Sequence, residues 1–435
     1  MYDGVYQLAG VPQLFIQKCV VGGRTMCRDN IKWKFDSVEN PDHKGQKMAD
    51  YDGVSLYPSS MYRMEGCLMG KPKILNDNQK NWNFLQSIDG FFVKIKITDV
   101  GIDRHFSLMS EVNENGVRVF HNDMVGKELY IDRIGLEDLI KFQQVKFDVL
   151  LGYYYDEGRN PLIREVIKRV FDLRLQLKKQ KNEAQLVYKL IMNSAYGKTI
   201  LKPINTEEAI IGKKDVDKYI RDNYNYIIEY EKMFESDKYR FKIHKTINEH
   251  FNNCVVGVEV LSMSKRIMNE VMCLCEDNNL TAYYQDTDSI HMVWDDVSVL
   301  KKKFKEIYGK ELDGKQLGQF HIDFDLEDEN GNECKNVYAE KSIFLGKKCY
   351  IDCLVGDYGN KKVRGFHIRM KGVPNSTILY TANKMGISLD KLYEMLYDGK
   401  RIKFDLLEGG KRCNFKFHNN GCVSSMNNFV REIGF

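Results

Sequence analysis

The sequence lacks any Cys-x-x-Cys pair, although it contains eleven cysteines. Without such a pair there is no zinc-finger signature, and an odd number of scattered cysteines gives no disulfide framework, so this pattern indicates a reducing compartment. The closest pair, Cys273 and Cys275, lies in an apolar helical run, where cysteine usually behaves as a small hydrophobic side chain. The cysteines therefore predict neither a metal site nor crosslinks.

A signal peptide and a membrane span are also missing from the pattern of apolar residues. The amino-terminal apolar stretch is broken by Gln13, Gln17 and Lys18, and no apolar run reaches the length needed to cross a bilayer. We therefore expect a soluble intracellular protein with no membrane partner and no visible cellular address.

A large net charge is absent too. The 65 basic and 61 acidic side chains leave a formal charge of +4, so a nucleic-acid surface would have to be a local basic patch. At 435 residues the chain is longer than a usual single core, and two or three subdomains are expected.

What the sequence does have is a pair of acidic residues one position apart, in Tyr284-Gln285-Asp286-Thr287-Asp288-Ser289. The flanking runs are rich in β-branched and aromatic residues, which predicts a β-hairpin with the polar cluster at its tip. Alternation points Asp286 and Asp288 to the same side, where two like charges are costly unless a cation such as Mg²⁺ lies between them. The alternative is an ordinary polar turn, because Asp and Ser are common turn residues.

Two further stretches upstream favour the metal site over the turn. In the first, an extended run ends with the acidic residue Asp52 and continues to Ser59 as Gly-Val-Ser-Leu-Tyr-Pro-Ser. The second, from Lys189 to Lys198, reads Lys-Leu-Ile-Met-Asn-Ser-Ala-Tyr-Gly-Lys inside a strongly helical region. Three such stretches in this order are not expected by chance.

In these stretches the chain resembles the family B DNA polymerases. Residues 52–59 match the family's motif A, 189–197 its motif B and 284–289 its motif C, without departure at the defining positions. The resemblance implies an α/β (α+β) right-hand fold with palm, fingers and thumb and an antiparallel palm sheet. It also implies a DNA-directed DNA polymerase that binds primer-template DNA and deoxynucleoside triphosphates (dNTPs). Two Mg²⁺ ions are the implied cofactors, and Mn²⁺ can substitute for them.

The family's catalytic positions fall on a few residues of motifs A and C. By resemblance, Asp52 and Asp288 bridge both metal ions, Asp286 assists, and the carbonyl of Gly53 is an additional ligand. The implied reaction is template-directed phosphoryl transfer to a primer 3′-hydroxyl.

Nucleotide binding is predicted around motif A and on a helical hairpin. Apolar residues recur at helical spacing from Pro161, and a polar bend at 179–182 leads into a second helix. The resemblance assigns the triphosphate to basic side chains on these helices, and exclusion of a 2′-hydroxyl to Tyr57 and Tyr196. The predicted nucleotide contacts are Ser55, Leu56, Tyr57, Arg174, Lys178, Lys189, Asn193 and Tyr196. The apolar stripe of the first helix is predicted to be Leu162, Val166, Ile167, Val170, Phe171 and Leu173.

Contacts to primer and template are predicted from shorter matches. Gly22-Gly23-Arg24 reads as a tight turn, where protein-primed members of the family carry Tyr-x-Gly-Gly; Val20 stands in place of the tyrosine, so only the glycine backbone is carried over. A strand predicted over 342–351 contains Lys348-x-Tyr350, like the family's Lys-x-Tyr element at the primer terminus. The predicted contacts are Gly22, Gly23, Ser194, Gly197, Thr287, Lys348, Tyr350, Arg369 and Lys371.

Three more segments have simple interpretations. His367, Arg369 and Lys371 alternate onto one strand face as a cationic strip that can track phosphates. The acidic run at 323–331 reads as a solvated turn and not as part of a catalytic site. The helix predicted over 256–276 carries a core stripe.

Interval lengths suggest the protein-primed branch of the family. The expected divisions are an approach segment at 1–49, palm at 50–104 and 256–355, fingers at 161–200 and thumb at 356–435. Protein-primed members carry a terminal-protein-region insertion where 105–160 lies here, and a second insertion where 201–255 lies. A terminal priming protein is then an implied partner, and host cytoplasm or nucleus the location if the chain is viral.

A proofreading domain is not expected, since only 51 residues precede Asp52 and a family B exonuclease needs more. A reverse transcriptase is a poorer match because its Tyr-x-Asp-Asp sequence is absent. The remaining alternative is a non-catalytic, polymerase-like nucleic-acid-binding module or an inactive fragment of a split replicase.

Overall fold

The computed structural model describes residues 4–201, 204–246, 251–406, 415–417, 423–425 and 430–435. Three of the predicted segments extend in part beyond these ranges, namely 1–49, 201–255 and 356–435. Those parts lie outside the described residues. Its helices are α1 (Gly10–Gln17), α2 (Leu56–Arg63), α3 (Trp82–Leu85), α4 (Arg133–Gln143), α5 (Leu162–Lys179), α6 (Ala184–Gly197), α7 (Val216–Asn223), α8 (Cys254–Asp277), α9 (Trp294–Tyr308), α10 (Asn375–Met385) and α11 (Leu389–Tyr397).

The strands of the first half are β1 (Thr25–Cys27), β2 (Trp33–Asp36), β3 (Met48–Gly53), β4 (Cys67–Leu68), β5 (Lys73–Ile74), β6 (Gly90–Asp99), β7 (Ser110–Val112), β8 (Arg118–Phe120), β9 (Glu128–Asp132), β10 (Lys146–Tyr155), β11 (Arg159–Asn160) and β12 (Thr206–Gly212). Those of the second half are β13 (Ile227–Lys232), β14 (Lys238–His244), β15 (Ala282–Asp286), β16 (Ser289–Val293), β17 (Phe320–Ile322), β18 (Lys335–Gly346), β19 (Cys349–Tyr358), β20 (Lys361–Met370), β21 (Ile402–Asp405), β22 (Phe415–Phe417), β23 (Val423–Ser425) and β24 (Val430–Ile433).

A nine-stranded sheet forms the centre, in the order β1-β15-β16-β3-β18-β19-β20, with β17 pairing β3 and β2 pairing β18. Every pairing in it is antiparallel, as predicted for the palm. On β3, Ala49 and Tyr51 are buried in the core that α8 covers. Strand alternation therefore turns Asp50 and Asp52 to the opposite face, which is the face that carries the candidate site.

Helix α8 lies behind this sheet and is buried on nearly all sides. Ile267, Met268, Val271 and Met272 pack in one cluster with residues of β3, β16 and α9, so the predicted core stripe is confirmed. Because α8 is covered all round, its polar Glu259 needs a partner, and Arg159 supplies it over 2.7 Å.

The predicted helical hairpin is also confirmed, as α5 and α6. Its apolar stripe is only partly right: Ile167 and Phe171 are buried against α2 and α8, whereas Leu162, Val166 and Leu173 are more than a third exposed. The α5 residues that pack on the rest of the chain lie along one side of the helix from Ile163 to Leu175, and the three exposed apolar residues lie on another side, which the described part of the chain leaves open.

Several predicted boundaries fall inside sheets. β1 and β2 pair with β15 and β18, so 1–49 is not separate from the central sheet. The boundary at 104 divides the sheet β5-β10-β6-β9, and the boundary at 355 falls within β19. Between motifs B and C, β12, β14 and β13 form a small sheet with its own core of Val216, Phe241 and Ile243. No helix in the described part of the chain is both long and apolar enough to span a membrane.

Candidate active site

The predicted hairpin around the paired aspartates is present. β15 and β16 pair with Asp286 opposite Ser289, and Thr287 and Asp288 form the turn between them. Thr287 has φ +63°, and its N–H donates to the carbonyl of Arg24 over 2.9 Å. The Asp288 N–H donates to the Asp286 carbonyl over 2.7 Å. One bond therefore fixes the turn to the segment before β1, and the other closes the turn itself.

Strand β3 brings motif A beside this turn. Asp52 lies opposite Ser289 in the register of β3 and β16, and the Gly53 N–H donates to the Asp288 carbonyl over 2.8 Å. Asp52, Asp286 and Asp288 line one cleft. The structure therefore brings the three predicted catalytic acids together, and the metal contact assigned to the Gly53 carbonyl stays a prediction.

The environment of these acids disfavours negative charge. Burial, with the charges of Asp288, Asp50 and Asp323, raises the pKa of Asp52 to about 9. Burial also raises the pKa of Asp288 to about 6, and Asp286 and Asp50 add to the effect. A divalent cation relieves such repulsion, and clustered carboxylate oxygens are the donors that Mg²⁺ prefers. The residues present therefore fit the predicted magnesium site.

Lys348 lies at the mouth of the acidic cleft, with its Nζ 2.5 Å from the Asp286 Oδ1. The strand predicted over 342–351 is wrong, because the chain reverses there in a two-residue turn between β18 and β19. Lys348 is in that turn with φ +55°, which directs its side chain to motif C. Tyr350 follows on β19, buried in the wall of the cleft. Their contacts with a primer stay predictions.

Motifs A and B meet through two tyrosines. The rings of Tyr57 and Tyr196 stack, with centroids 4.0 Å apart and planes inclined by 22°. Beside them, the Arg174 Nη1 donates to the Ser55 Oγ over 3.3 Å. The side chain of Leu56 is buried in the core against α8, so any contact of this residue with a nucleotide would use its backbone.

The other predicted contacts on the helical hairpin are more open. Lys178, Lys189 and Asn193 are exposed, and their side chains make no hydrogen bond or ion pair with another described residue. The Ser194 Oγ donates to the carbonyl of Ile191 within α6 over 3.2 Å. Roles of these residues, and of Gly197 at the end of α6, in binding nucleotide or DNA stay predictions.

The tight turn predicted at Gly22-Gly23-Arg24 is wrong. These residues form no turn, neither glycine has a positive φ, and the chain runs directly into β1. A Cβ at Gly23 would lie 2.6 Å from the Thr287 Cγ2, whereas a Cβ at Gly22 would meet nothing within 4 Å. The Arg24 Nε donates to the Gln285 Oε1 over 2.5 Å. This segment therefore supports motif C, and its contact with template stays a prediction.

The acidic run after motif C is only partly a solvated turn. Asp323 and Asp325 are exposed and line the same cleft as the motif carboxylates, and that they are not catalytic stays a prediction. Asp328 begins the actual turn, where the Gly331 N–H donates to its carbonyl over 3.0 Å. Strand β17 pairs β3, and this pairing brings the start of the run to the cleft.

The predicted cationic strip is also only partly present. Arg369 is exposed and lines the cleft, and Lys371 follows the end of β20, where its N–H donates to the Lys348 carbonyl over 2.9 Å. His367 lines the cleft as well, but its Nδ1 donates to the buried Asp352 Oδ2 over 3.2 Å, so this ring is bound within the protein. Contacts of Arg369 and Lys371 with DNA stay predictions.

Sequence reasoning missed a buried ionic cluster beside Asp52. The His291 Nε2 donates to the Asp352 Oδ2 over 3.2 Å, and the His291 Nδ1 lies 3.6 Å from the Asp50 Oδ1. Burial lowers the pKa of His291, but the two carboxylates outweigh it and raise the pKa to about 9. Asp50 is two residues before Asp52, and His291 is two residues after Ser289. Strand alternation alone could therefore have placed both on the cleft face.

Comparison with known sequences gives a consistent picture. A sequence model of the family described as DNA polymerase type B, organellar and viral, matches residues 13–274, more than half of the chain. The DNA polymerase of Acidianus bottle-shaped virus is 43% identical over 179 residues, which cover 38% of this chain and 25% of the relative. The DNA polymerase of Kluyveromyces lactis is 25% identical over 257 residues, which cover 57% of this chain and 23% of the relative. The chain thus spans about a quarter of the length of these curated relatives.

Solved structures match along nearly the whole chain. Phi29 DNA polymerase complexed with primer-template DNA superposes with a TM-score of 0.59 at 15% identity, covering 98% of this chain and 64% of that one. The structure of Phi29 DNA polymerase complexed with single-stranded DNA superposes with a TM-score of 0.61 at 14% identity. This match covers 97% of this chain and 63% of that one. At such low identity the likeness shows the fold alone, and it confirms the predicted right-hand polymerase fold.

Proposed function

Because the chain belongs to the type B DNA polymerases of the organellar and viral kind, we propose that it adds deoxynucleotides to a 3′-hydroxyl on a DNA template. The observation that carries the proposal is the meeting of Asp52, near the end of β3, with Asp288, in the turn just before β16. The stacked tyrosines and Arg174 are close to motif A on one side, and Lys348 reaches motif C on the other.

The proposed catalytic roles follow from this arrangement. Asp52 and Asp288 would hold two Mg²⁺ ions, with Asp286 and the Gly53 carbonyl assisting. When bound, such ions lower the pKa of the attacking 3′-hydroxyl and balance the charge of the triphosphate and leaving pyrophosphate. Asp323 and Asp325 add negative charge at the same cleft, which strengthens its attraction for divalent cations.

The chain's other groups position the substrates. Arg174, Lys178 and Lys189 would bind the triphosphate, since converging cations are required to hold several adjacent negative charges. The Tyr57 ring, fixed by its stack on Tyr196, would exclude a 2′-hydroxyl by contact. Lys348 would exchange its bond with Asp286 for the primer backbone. These side chains orient the triphosphate and the primer end toward each other.

Primer extension with dNTPs and Mg²⁺ tests the proposal, comparing the wild-type chain with Asp288→Asn. Asp77→Asn is the matched control, because Asp77 carries the same side chain, 94% exposed, and does not line the cleft. We expect extension by the wild type and the control and its loss in Asp288→Asn. Template binding without extension in all three would favour a polymerase-like binding module.

Protein priming is a further part of the proposal. It is supported by the family match and by the small sheet of β12, β13 and β14 between motifs B and C, where protein-primed members carry an insertion. A labelled deoxynucleotide attached covalently to a Ser, Thr or Tyr of a co-expressed priming protein would support it. Absence of proofreading by this chain also stays a prediction, to be tested with a mismatched single-stranded end in Mg²⁺.

A further inference from the structure

Three ligand-type side chains from three strands converge next to the catalytic acids. One oxygen of Asp50 and one ring nitrogen each of His291 and His367 all lie within 4.8 Å of one another. Asp50 comes from β3, His291 from β16 and His367 from β20. None of the three belongs to the catalytic or nucleotide-binding groups proposed above, so the cluster needs its own explanation.

Asp352 orients both imidazoles of this cluster. Its Oδ2 accepts from the His291 Nε2 and from the His367 Nδ1, each over 3.2 Å, and its Oδ1 accepts from the Ser342 Oγ over 2.7 Å. In the neutral form, each histidine therefore carries its N–H toward Asp352 and has a lone pair on the other ring nitrogen. Metal-binding histidines in proteins typically donate their second ring N–H to a carboxylate in this way.

Two buried atoms of the cluster have no hydrogen-bond partner among the described residues, the Asp50 Oδ1 and the His291 Nδ1. Asp50 is 7% exposed and His291 is fully buried. The two atoms are 3.6 Å apart, longer than the usual N–H···O separation of about 2.7–3.2 Å. Two ligands at about 2.05 Å from a tetrahedral Zn²⁺ stand about 3.3 Å apart. The gap is therefore closer to that of two metal ligands than to a hydrogen bond.

The negative charge of the cluster and its shielding from solvent also favour a bound cation. Asp50 and Asp352 place two carboxylates inside the sheet; protonated His291 balances one of them, and the remaining buried charge is costly. The rings of Phe344 and Tyr350 lie 5.1 and 5.2 Å from the His291 ring, centroid to centroid, and screen it from solvent. One divalent ion would balance both carboxylates.

We infer that Asp50, His291 and His367 form a zinc site separate from the catalytic magnesium site. Two imidazole nitrogens with one carboxylate oxygen form a typical three-ligand set for Zn²⁺, whereas Mg²⁺ takes oxygen ligands. Asp50 and His367 line the cleft, which gives the ion a path and leaves a fourth position for water. The ion ties β3, β16 and β20 together beside Asp52.

Metal binding is measured on the whole chain after divalent ions are removed with a chelator. Zn²⁺ alone is added, unbound metal is removed by gel filtration, and bound zinc is counted by elemental analysis. Co²⁺ serves as a spectroscopic probe, because nitrogen and oxygen ligands in a tetrahedral site give visible absorption bands. We expect one zinc per chain that excess Mg²⁺ does not displace, and a higher unfolding temperature with zinc bound.

His367→Gln and His121→Gln form a matched pair of variants. Both histidine side chains are 24% exposed and both pair with a carboxylate, but only His367 belongs to the cluster. Losing a residue that supports a metal ligand typically costs about 10- to 100-fold in metal affinity. Because His367 is proposed as a ligand itself, we expect His367→Gln to lose more zinc affinity than that. His121→Gln should bind zinc like the wild type. Asp288→Asn should also retain zinc, because it removes a catalytic acid and no ligand of this site.

Three results would overturn the inference. A wild-type chain that retains no zinc would mean that a proton on the His291 Nδ1 fills the gap. Equal zinc affinity of His367→Gln and His121→Gln would place the metal elsewhere. Loss of zinc in Asp288→Asn would place it on the catalytic acids. Metal counting and unfolding do not depend on DNA synthesis, so a failure of the proposed polymerase activity leaves this test intact.

Discussion

Gly23→Ala is expected to slow nucleotide addition while leaving the chain folded. The new Cβ would lie 2.6 Å from the Thr287 Cγ2 and 3.3 Å from the Thr287 Cβ. Because carbon atoms pack at about 3.5–4.0 Å, the gap must widen by about 1 Å. Rotating the Thr287 side chain does not provide that room, since its Cβ is itself too close.

The displacement falls on the turn that carries two of the proposed catalytic acids. Thr287 separates Asp286 from Asp288, and its N–H is bonded to the carbonyl of Arg24, the residue next to the new methyl group. Overpacking typically costs about 1–3 kcal/mol of stability. A misplacement of about 1 Å at a catalytic group costs on the order of 100-fold in rate. We therefore expect kcat to fall about 10- to 100-fold with a modest fall in Tm.

Single-turnover primer extension at saturating dNTP measures the effect on chemistry, and thermal unfolding measures the effect on stability. Gly22→Ala is the control, because a Cβ there meets nothing within 4 Å, and its rate should match the wild type. Adding Thr287→Ser to Gly23→Ala removes the closest methyl group and should recover part of the rate. Equal rates for the two alanine variants, or no recovery with Thr287→Ser, would refute the steric argument.

Three further predictions address sugar choice, stability and pH. Tyr57→Val should raise ribonucleotide incorporation relative to dNTPs by about 10- to 100-fold, and unchanged discrimination in steady-state assays would contradict the role of the ring. Arg159→Met leaves the buried Glu259 without its partner and should cost about 3–5 kcal/mol in urea unfolding; an equal cost for Lys146→Met at an exposed ion pair would contradict this. Burial lowers the pKa of Lys265 from 10.5 to about 8, so between these pH values the unfolded state binds the extra proton and stability rises with pH. In Lys265→Met, the rise in the free energy of unfolding over this pH range should be smaller by about 3 kcal/mol. Parallel plots of unfolding free energy against pH for the variant and the wild type would contradict this prediction.

The features that sequence reasoning found are local ones. The hairpin at motif C is specified by two β-prone runs around a polar tip, and the helices of the fingers by apolar spacing around a polar bend. The antiparallel palm sheet and the adjacency of Asp52 to motif C follow from the family resemblance, because no local pattern tells which distant strands pair. Gly346 stands at the turn between β18 and β19, and it was the one local signal against a continuous strand over 342–351.

The features that were missed depend on contacts between distant segments. His367 reads as a cation on a strand face, and only the pairing of β19 with β20 shows that it meets Asp352. The Gly-Gly pair reads as a turn, and only the pairing of β1 with β15 shows why Gly23 must lack a side chain. The prediction that all the apolar positions of α5 are buried was wrong for the same reason, because helical spacing predicts an apolar face but not what covers it.

The structure divides the candidate site into a fixed part and an adjustable part. Asp52 and Ser289 are cross-strand partners, and Asp288 is bonded through its carbonyl to the Gly53 N–H. The backbone positions of Asp52 and Asp288 are therefore fixed by strand pairing and by this backbone hydrogen bond. Lys348 is held differently: it lies in a turn and reaches the site through a long, flexible side chain, half of it exposed. A bound primer end, as proposed, would therefore move this cation without changing the geometry of the acids proposed to hold the metal ions.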